Sequence, residues 1–180
     1  MACTRARCVR HAVLVRAIAR VSHSKGRTML PQDAETLARS LLDAHGLNHV
    51  PLHWHRKTRE FGTCKFTRAT IFDNWHVSAI ELSRALVSVN SPEQCRDTIL
   101  HEIAHALVGP KAGHGLTWQC KARELGCSPS PYCNHGVAMI PGKYTASCPC
   151  GTAHEFYKLP IHGKICRNCR YRLEIKARQD

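Results

Sequence analysis

Residues 91–110 constrain this chain more than any other stretch, because they mark both ends of one helix and place chemistry in its middle. Ser91 offers an N-cap hydroxyl, Pro92 suits the first helical position, and Gln94 is spaced to complete a capping box. Ile99, Leu100, Ile103 and Leu107 supply an apolar face, and Gly109-Pro110 ends the helix with a flexible cap and a residue that cannot continue it. The stretch HEIAH therefore lies inside a helix. Side chains four residues apart are separated there by about 40° around the axis and one turn along it, so the imidazoles of His101 and His105 can converge on one ion. Glu102, next to the first histidine, is placed to accept a proton rather than to coordinate. Zinc at such a site makes a water acidic enough for that carboxylate to deprotonate it, and the oxygen then attacks a peptide carbonyl.

Catalytic zinc normally takes three protein ligands and keeps one position open. His114 is the expected third ligand, since it sits in the glycine-flanked turn AGHGL, where the chain can fold back onto the ligand helix. Glu124 is the alternative, further along in an expected helix from Leu116 to Leu125. A histidine six residues after the second ligand is absent, because Lys111 stands there.

The rest of the chain reads as mixed α+β. A helix is predicted from Pro31, with Ala34, Leu37, Ala38, Leu41 and Leu42 at helical spacing and Gly46 as the stop. Over 50–87 the runs VPLHWH, FGTCKFTRAT and HVSAIELS are rich in β-branched and aromatic residues, with breaks at Gly62 and around Asp73-Asn74, and predict three short antiparallel strands. Helices packed on a small antiparallel sheet are the expected architecture. Residues 1–32 carry seven Lys or Arg and no acid, and read as a disordered basic leader or an organelle-type presequence.

The formal charge of +13 sits at the two ends. Residues 143–180 hold eight basic against three acidic groups, while 33–142 hold eleven against ten. A near-neutral centre with basic flanks suits a protein held on a polyanion through neutralised phosphates. No apolar run approaches the about 20 residues that span a membrane, and Arg16 and Arg20 interrupt AVLVRAIARV, so an export signal is not expected. The chain is read as intracellular, monomeric and free of the membrane, with organelle targeting by the leader left open.

Without export, eleven cysteines point to metal sites or free thiols rather than disulfides. Cys166-x-x-Cys169 has the spacing of one knuckle of a zinc ribbon, and Cys148-x-Cys150 lies far enough upstream to form the other. The one-residue gap in the first pair leaves His154 as an alternative to Cys150. Four thiolates close a tetrahedral site, so this second zinc would be structural. Lys164, Arg167, Arg170 and Arg172, with Tyr157 and Tyr171 as stacking surfaces, could hold single-stranded or distorted DNA. Cys3, Cys8, Cys64, Cys95, Cys120, Cys127 and Cys133 show no paired ligand spacing, and Cys64 and Cys95 are expected to pack as small apolar groups.

HEIAHALVG, then AGHGLTW, then CPCG with CRNC resembles the SprT-like metalloproteases in order and spacing, and WHRKTREFGTCKF followed by AIELS looks like the strand pair that precedes the ligand helix in that family. The resemblance covers about residues 34–175. It implies a zincin-like minimal metalloprotease domain over 33–142 and a zinc-ribbon module over 143–180. It also implies His101, His105 and His114 as ligands of a catalytic zinc, Glu102 as the base, and Trp118 packed behind the third ligand. Spartan-type relatives act on proteins covalently trapped on DNA, which implies an endopeptidase for DNA-bound or DNA-crosslinked proteins here. The alternatives are a non-catalytic, zinc-stabilised nucleic-acid-binding protein and a regulatory peptidase that works without DNA.

Overall fold

The computed structural model describes residues 28–69, 74–131 and 136–179. The leader expected over 1–32 lies outside them up to residue 27; Met29, by contrast, is buried and its N–H donates to the carbonyl of Asn90 at 2.9 Å. The chain forms two compact units, Met1–Val137 and Ala138–Asp180. The division falls ahead of the expected boundary at residue 142 because Gly142 is tied into the second unit: its N–H donates to the Glu155 carboxylate at 2.8 Å and its carbonyl accepts from Arg178 Nε at 3.0 Å. Among the described residues no helix is long and apolar enough to cross a membrane.

In the first unit, helix α1 (Pro31–Ala44) buries Ala34, Ala38, Leu41 and Leu42, the helical spacing read from the sequence. Gly46, at φ 73°, then turns the chain in a conformation that costs a glycine little, and the Leu47 N–H returns to the Leu42 carbonyl at 2.8 Å. Strands β1 (Leu52–His55), β2 (Gly62–Ala69) and β3 (Asn74–Ser83) form one sheet in the order β1-β3-β2. Helix α2 (Arg84–Val87) is a single turn capped by Ser83 Oγ, and leads to α3 (Pro92–Val108). A 3-10 turn (Pro110–Ala112) connects α3 to α4 (Leu116–Leu125). Leu42, Val50, Leu52, Ile80, Leu82, Ile99, Leu100, Ile103 and Trp118 share one buried core between the helices and the sheet. Each such aliphatic side chain contributes about 1.5–3 kcal/mol when removed from water.

The sheet is mixed, which corrects the all-antiparallel expectation. β2 and β3 form the expected hairpin, with Gly62 opposite Leu82 and a bulge between Lys65 and Phe66, but β1 runs parallel to β3 on its far edge, with Leu52 opposite Ile80 and His55 opposite Ser83. Residues 56–61 carry the chain past the end of β3, a gap of about 10 Å between the outer strands. Buried Ser83 staples that crossing, its Oγ donating to the Lys57 carbonyl at 2.6 Å and its N–H to the Phe61 carbonyl at 2.8 Å. Gly62, expected to break the strand pattern, is the first residue of β2.

The second unit is a small antiparallel sheet of β4 (Tyr144–Ser147), β5 (Ala153–Phe156) and β6 (Lys176–Ala177), in the order β5-β4-β6. Its buried cluster is slight: Ala146, Cys148, Cys166 and Leu173, with Phe156 and Ile175 against it.

Candidate metal centre

Helix α3 begins as its sequence requires. Ser91 Oγ accepts the Gln94 N–H at 3.3 Å and Gln94 Oε1 accepts the Ser91 N–H at 2.8 Å, so the capping box closes. Gly109 ends the helix at φ 82°. Between these caps the buried face holds Thr98, Ile99, Leu100, His101, Glu102 and Ile103, which anchors the histidine side of the helix in the core. His114 is delivered by the turn after the 3-10 segment, where Gly113 adopts φ 47° and Gln119 Nε2 donates to the His114 carbonyl at 3.1 Å.

The three imidazoles meet through their Nε2 atoms. His101 to His114 is 3.1 Å, His101 to His105 is 3.3 Å and His105 to His114 is 3.0 Å. A tetrahedral ion with metal–nitrogen bonds of 2.0–2.1 Å spaces its ligand atoms by about 3.3 Å, so this triangle fits zinc. Burial holds the His101 imidazole down to about 3, with repulsion from His105 and His114 adding to it, and burial followed by His114 holds His105 down to about 4. Both rings are therefore neutral, the form that donates a lone pair to a metal. Glu124, the alternative third ligand, stands apart: it is exposed and paired with Lys121 at 2.6 Å.

Trp118 of α4 is fully buried and lies against all three rings, with centroid separations of 4.6 Å to His101, 5.2 Å to His105 and 4.6 Å to His114. The place expected for it behind His114 is thus met, and the other two rings share it. Glu102 is buried on the helix that carries His101 and His105 and accepts the backbone N–H of Cys64 on β2. Burial pushes its carboxyl up to about 8, against the pull of that N–H, and Glu60 adds to the rise. The neighbours of Glu102 on β2, Gly62 and Cys64, are the part of this site that sequence reasoning missed, because nothing in the spacing of FGTCKF shows which helix residue the strand will meet. Cys64 and Cys95 do pack on apolar surroundings as expected.

In the second unit Cys148, Cys150, Cys166 and Cys169 come together, with all four sulfur atoms within 4.8 Å of one another. Sulfur separations are 3.1 Å for Cys148–Cys169, 3.4 Å for Cys148–Cys150 and 3.7 Å for Cys150–Cys166, near the about 3.8 Å edge expected for zinc–sulfur bonds of 2.3 Å. The described cysteines are free thiols. The Cys166–Cys169 knuckle is a tight turn, with the Arg170 N–H on the Cys166 carbonyl at 2.9 Å and Arg170 itself at φ 64°. The Cys169 backbone N–H pulls the Cys166 thiol down to about 5, helped by Asn168 and His154, which favours the thiolate that a metal needs. His154 thus sits beside the Cys166 sulfur and outside the ligand group, while the Cys150 sulfur lies within it.

No curated protein and no solved structure matches the chain. The SprT-like family, a family of metalloprotease-like domains, matches residues 18–138, more than half of the 180 residues and including all three histidines, and the four-cysteine group lies beyond the matched segment. On this match, with a histidine triad able to hold a metal, the chain belongs to the SprT-like family.

Proposed function

We propose that this protein is a zinc-dependent endopeptidase with a zincin-like catalytic domain, acting as a monomer on proteins bound to or crosslinked with DNA. The observation that carries the reading is the convergence of three Nε2 atoms, 3.0 to 3.3 Å apart, next to a buried carboxylate. His101, His105 and His114 would hold the ion and leave one position for water or substrate. Zinc bound there supplies Lewis acidity, which acidifies water and polarises a peptide carbonyl. Glu102 takes the water's proton at its carboxylate and passes it to the leaving amine. The Cys64 N–H orients that carboxylate, and Trp118 keeps water from the rear of the ligands.

Cys148, Cys150, Cys166 and Cys169 would hold a second zinc with a structural role. DNA as a partner is supported by the charge pattern: Lys164, Arg167, Arg170 and Arg172 surround the cysteine knuckle, and Tyr171 is exposed beside them as a stacking surface. The resemblance to Spartan-type proteases points the same way.

The test is to incubate the purified chain with a DNA-binding protein, with and without single-stranded DNA, alongside Glu102→Gln. Cleavage that DNA stimulates and that the substitution abolishes is expected, with one metal in each of the two ligand groups. DNA binding without Glu102-dependent cleavage would leave a zinc-stabilised nucleic-acid-binding protein instead. Cleavage indifferent to DNA across a range of salt would leave a regulatory peptidase.

A further inference from the structure

Gly62 opens β2, and its backbone lies outside the left-handed region, so conformation alone gives no reason for a glycine there. Space does. A Cβ at this position would stand 2.9 Å from Glu102 Cγ, closer than real Cβ atoms come to a neighbour, and 3.0 Å from both Glu102 Oε1 and Thr98 Cγ2, tighter than nine in ten such contacts. Thr98 is buried one turn before Glu102 on the same helix. Glu102 is only 5 % exposed and accepts the Cys64 N–H, so turning away would leave a carboxyl group buried without its donor. The β2 backbone therefore closes on the carboxylate twice within three residues, by the bare Cα of Gly62 and by the N–H of Cys64.

We propose that Gly62 is a positioning residue: its missing side chain lets β2 clamp the Glu102 carboxylate in one place beside the histidine triad. This rests on the reading of Glu102 as the general base. Any side chain at position 62 displaces that carboxylate by a few tenths of an ångström or into another rotamer, and general-base catalysis is steep in placement. No candidate metal ligand stands on β2, so the expected effect falls on the carboxylate rather than on zinc content.

The experiment pairs Gly62→Ala with Glu102→Ala in the zinc-loaded full chain. Gly62→Ala lowers kcat by about tenfold or more, with KM and zinc content as in the wild type. It also lowers Tm by about 5 °C in the wild-type background, and by less than half of that when Glu102→Ala has removed the group it meets. An unchanged kcat, or the same Tm loss in both backgrounds, overturns the proposal. Should Gly62→Ala fail to fold, a folded Gly62→Ala/Glu102→Ala protein supports the clamp and an unfolded one overturns it. If the wild type cleaves nothing, the peptidase reading falls, while the Tm comparison still decides whether Gly62 sets the place of the carboxylate.

Discussion

Two of the three histidines stand on a capped helix of 17 residues whose Ile99, Leu100, Ile103 and Ala104 belong to the main core, whereas the cysteine group hangs on turns between strands of two to four residues. In the first unit packing brings the three histidines together: Ile99, Leu100, Ile103 and Trp118 hold α3 and α4 in place. In the second, Ala146, Leu173 and their few neighbours bury too little apolar surface to offset the entropy of ordering the chain, so bonds from the sulfurs to a metal would have to hold the turns. The two groups differ in access as well. Three nitrogens leave a tetrahedral ion one free position, and four sulfurs leave none. Dependence runs from fold to site in one unit and from site to fold in the other.

The sharpest way to break this comparison is to remove metal. A chelator is expected to unfold the second unit and leave the first folded, seen as selective loss of dispersed NMR signals from residues 138–179; simultaneous loss from both units would end the distinction. Next in size, Glu102→Gln should reduce peptidase turnover by about 10³-fold while both metals are retained, measured by steady-state kinetics and metal analysis. Ile103→Ala empties part of the core that supports the ligand helix and should cost about 3 kcal/mol in denaturant unfolding of the first unit, with the second unit unaffected.

A pH dependence sharpens the picture of the metal-free first unit. Glu102 keeps its proton up to about 8 when folded and sheds it near the ordinary carboxylate value of 4.5 when unfolded, so its contribution is present at acid pH and is lost as pH rises through 8. His101 and His105 act in the opposite sense, since their depressed values make their contribution complete above 6.5 and lose it as pH falls through about 4 for His105 and about 3 for His101. Between pH 6.5 and 8 only the Glu102 slope should remain, about 2 kcal/mol, and Glu102→Gln should flatten it in a chelated sample. The smallest effect is expected from Glu124→Ala, which breaks only an exposed pair with Lys121 and should change stability by less than about 0.5 kcal/mol and turnover not at all. A loss of metal in that variant would restore Glu124 as a ligand.

Local signals were legible in proportion to how local their causes are. Ser91, Gln94 and Gly109 delimit α3 through bonds within a few residues, and Leu116 to Leu125 forms a helix as its pattern predicts. His114 reaches the triad through a short glycine-flanked turn, again a near-neighbour effect. The parallel pairing of β1 was not legible, because it depends on Ser83 gripping a linker more than twenty residues upstream, and a serine at a strand end carries no mark of that bond. Gly62 misled for a related reason: it looked like punctuation within its own strand, while the requirement it answers comes from a helix residue forty positions later. The cysteine spacing announced its site because both pairs are built on tight turns, which sequence separation describes well.

Trp118 carries a last consequence. One indole touches the rings of all three histidines, so the three ligands share a single mechanical reference supplied by α4, a helix that donates none of them. A disturbance in the packing of α4 reaches every ligand at once and in a correlated way, so the accuracy of the centre is inherited from the alignment of two helices rather than tuned ring by ring.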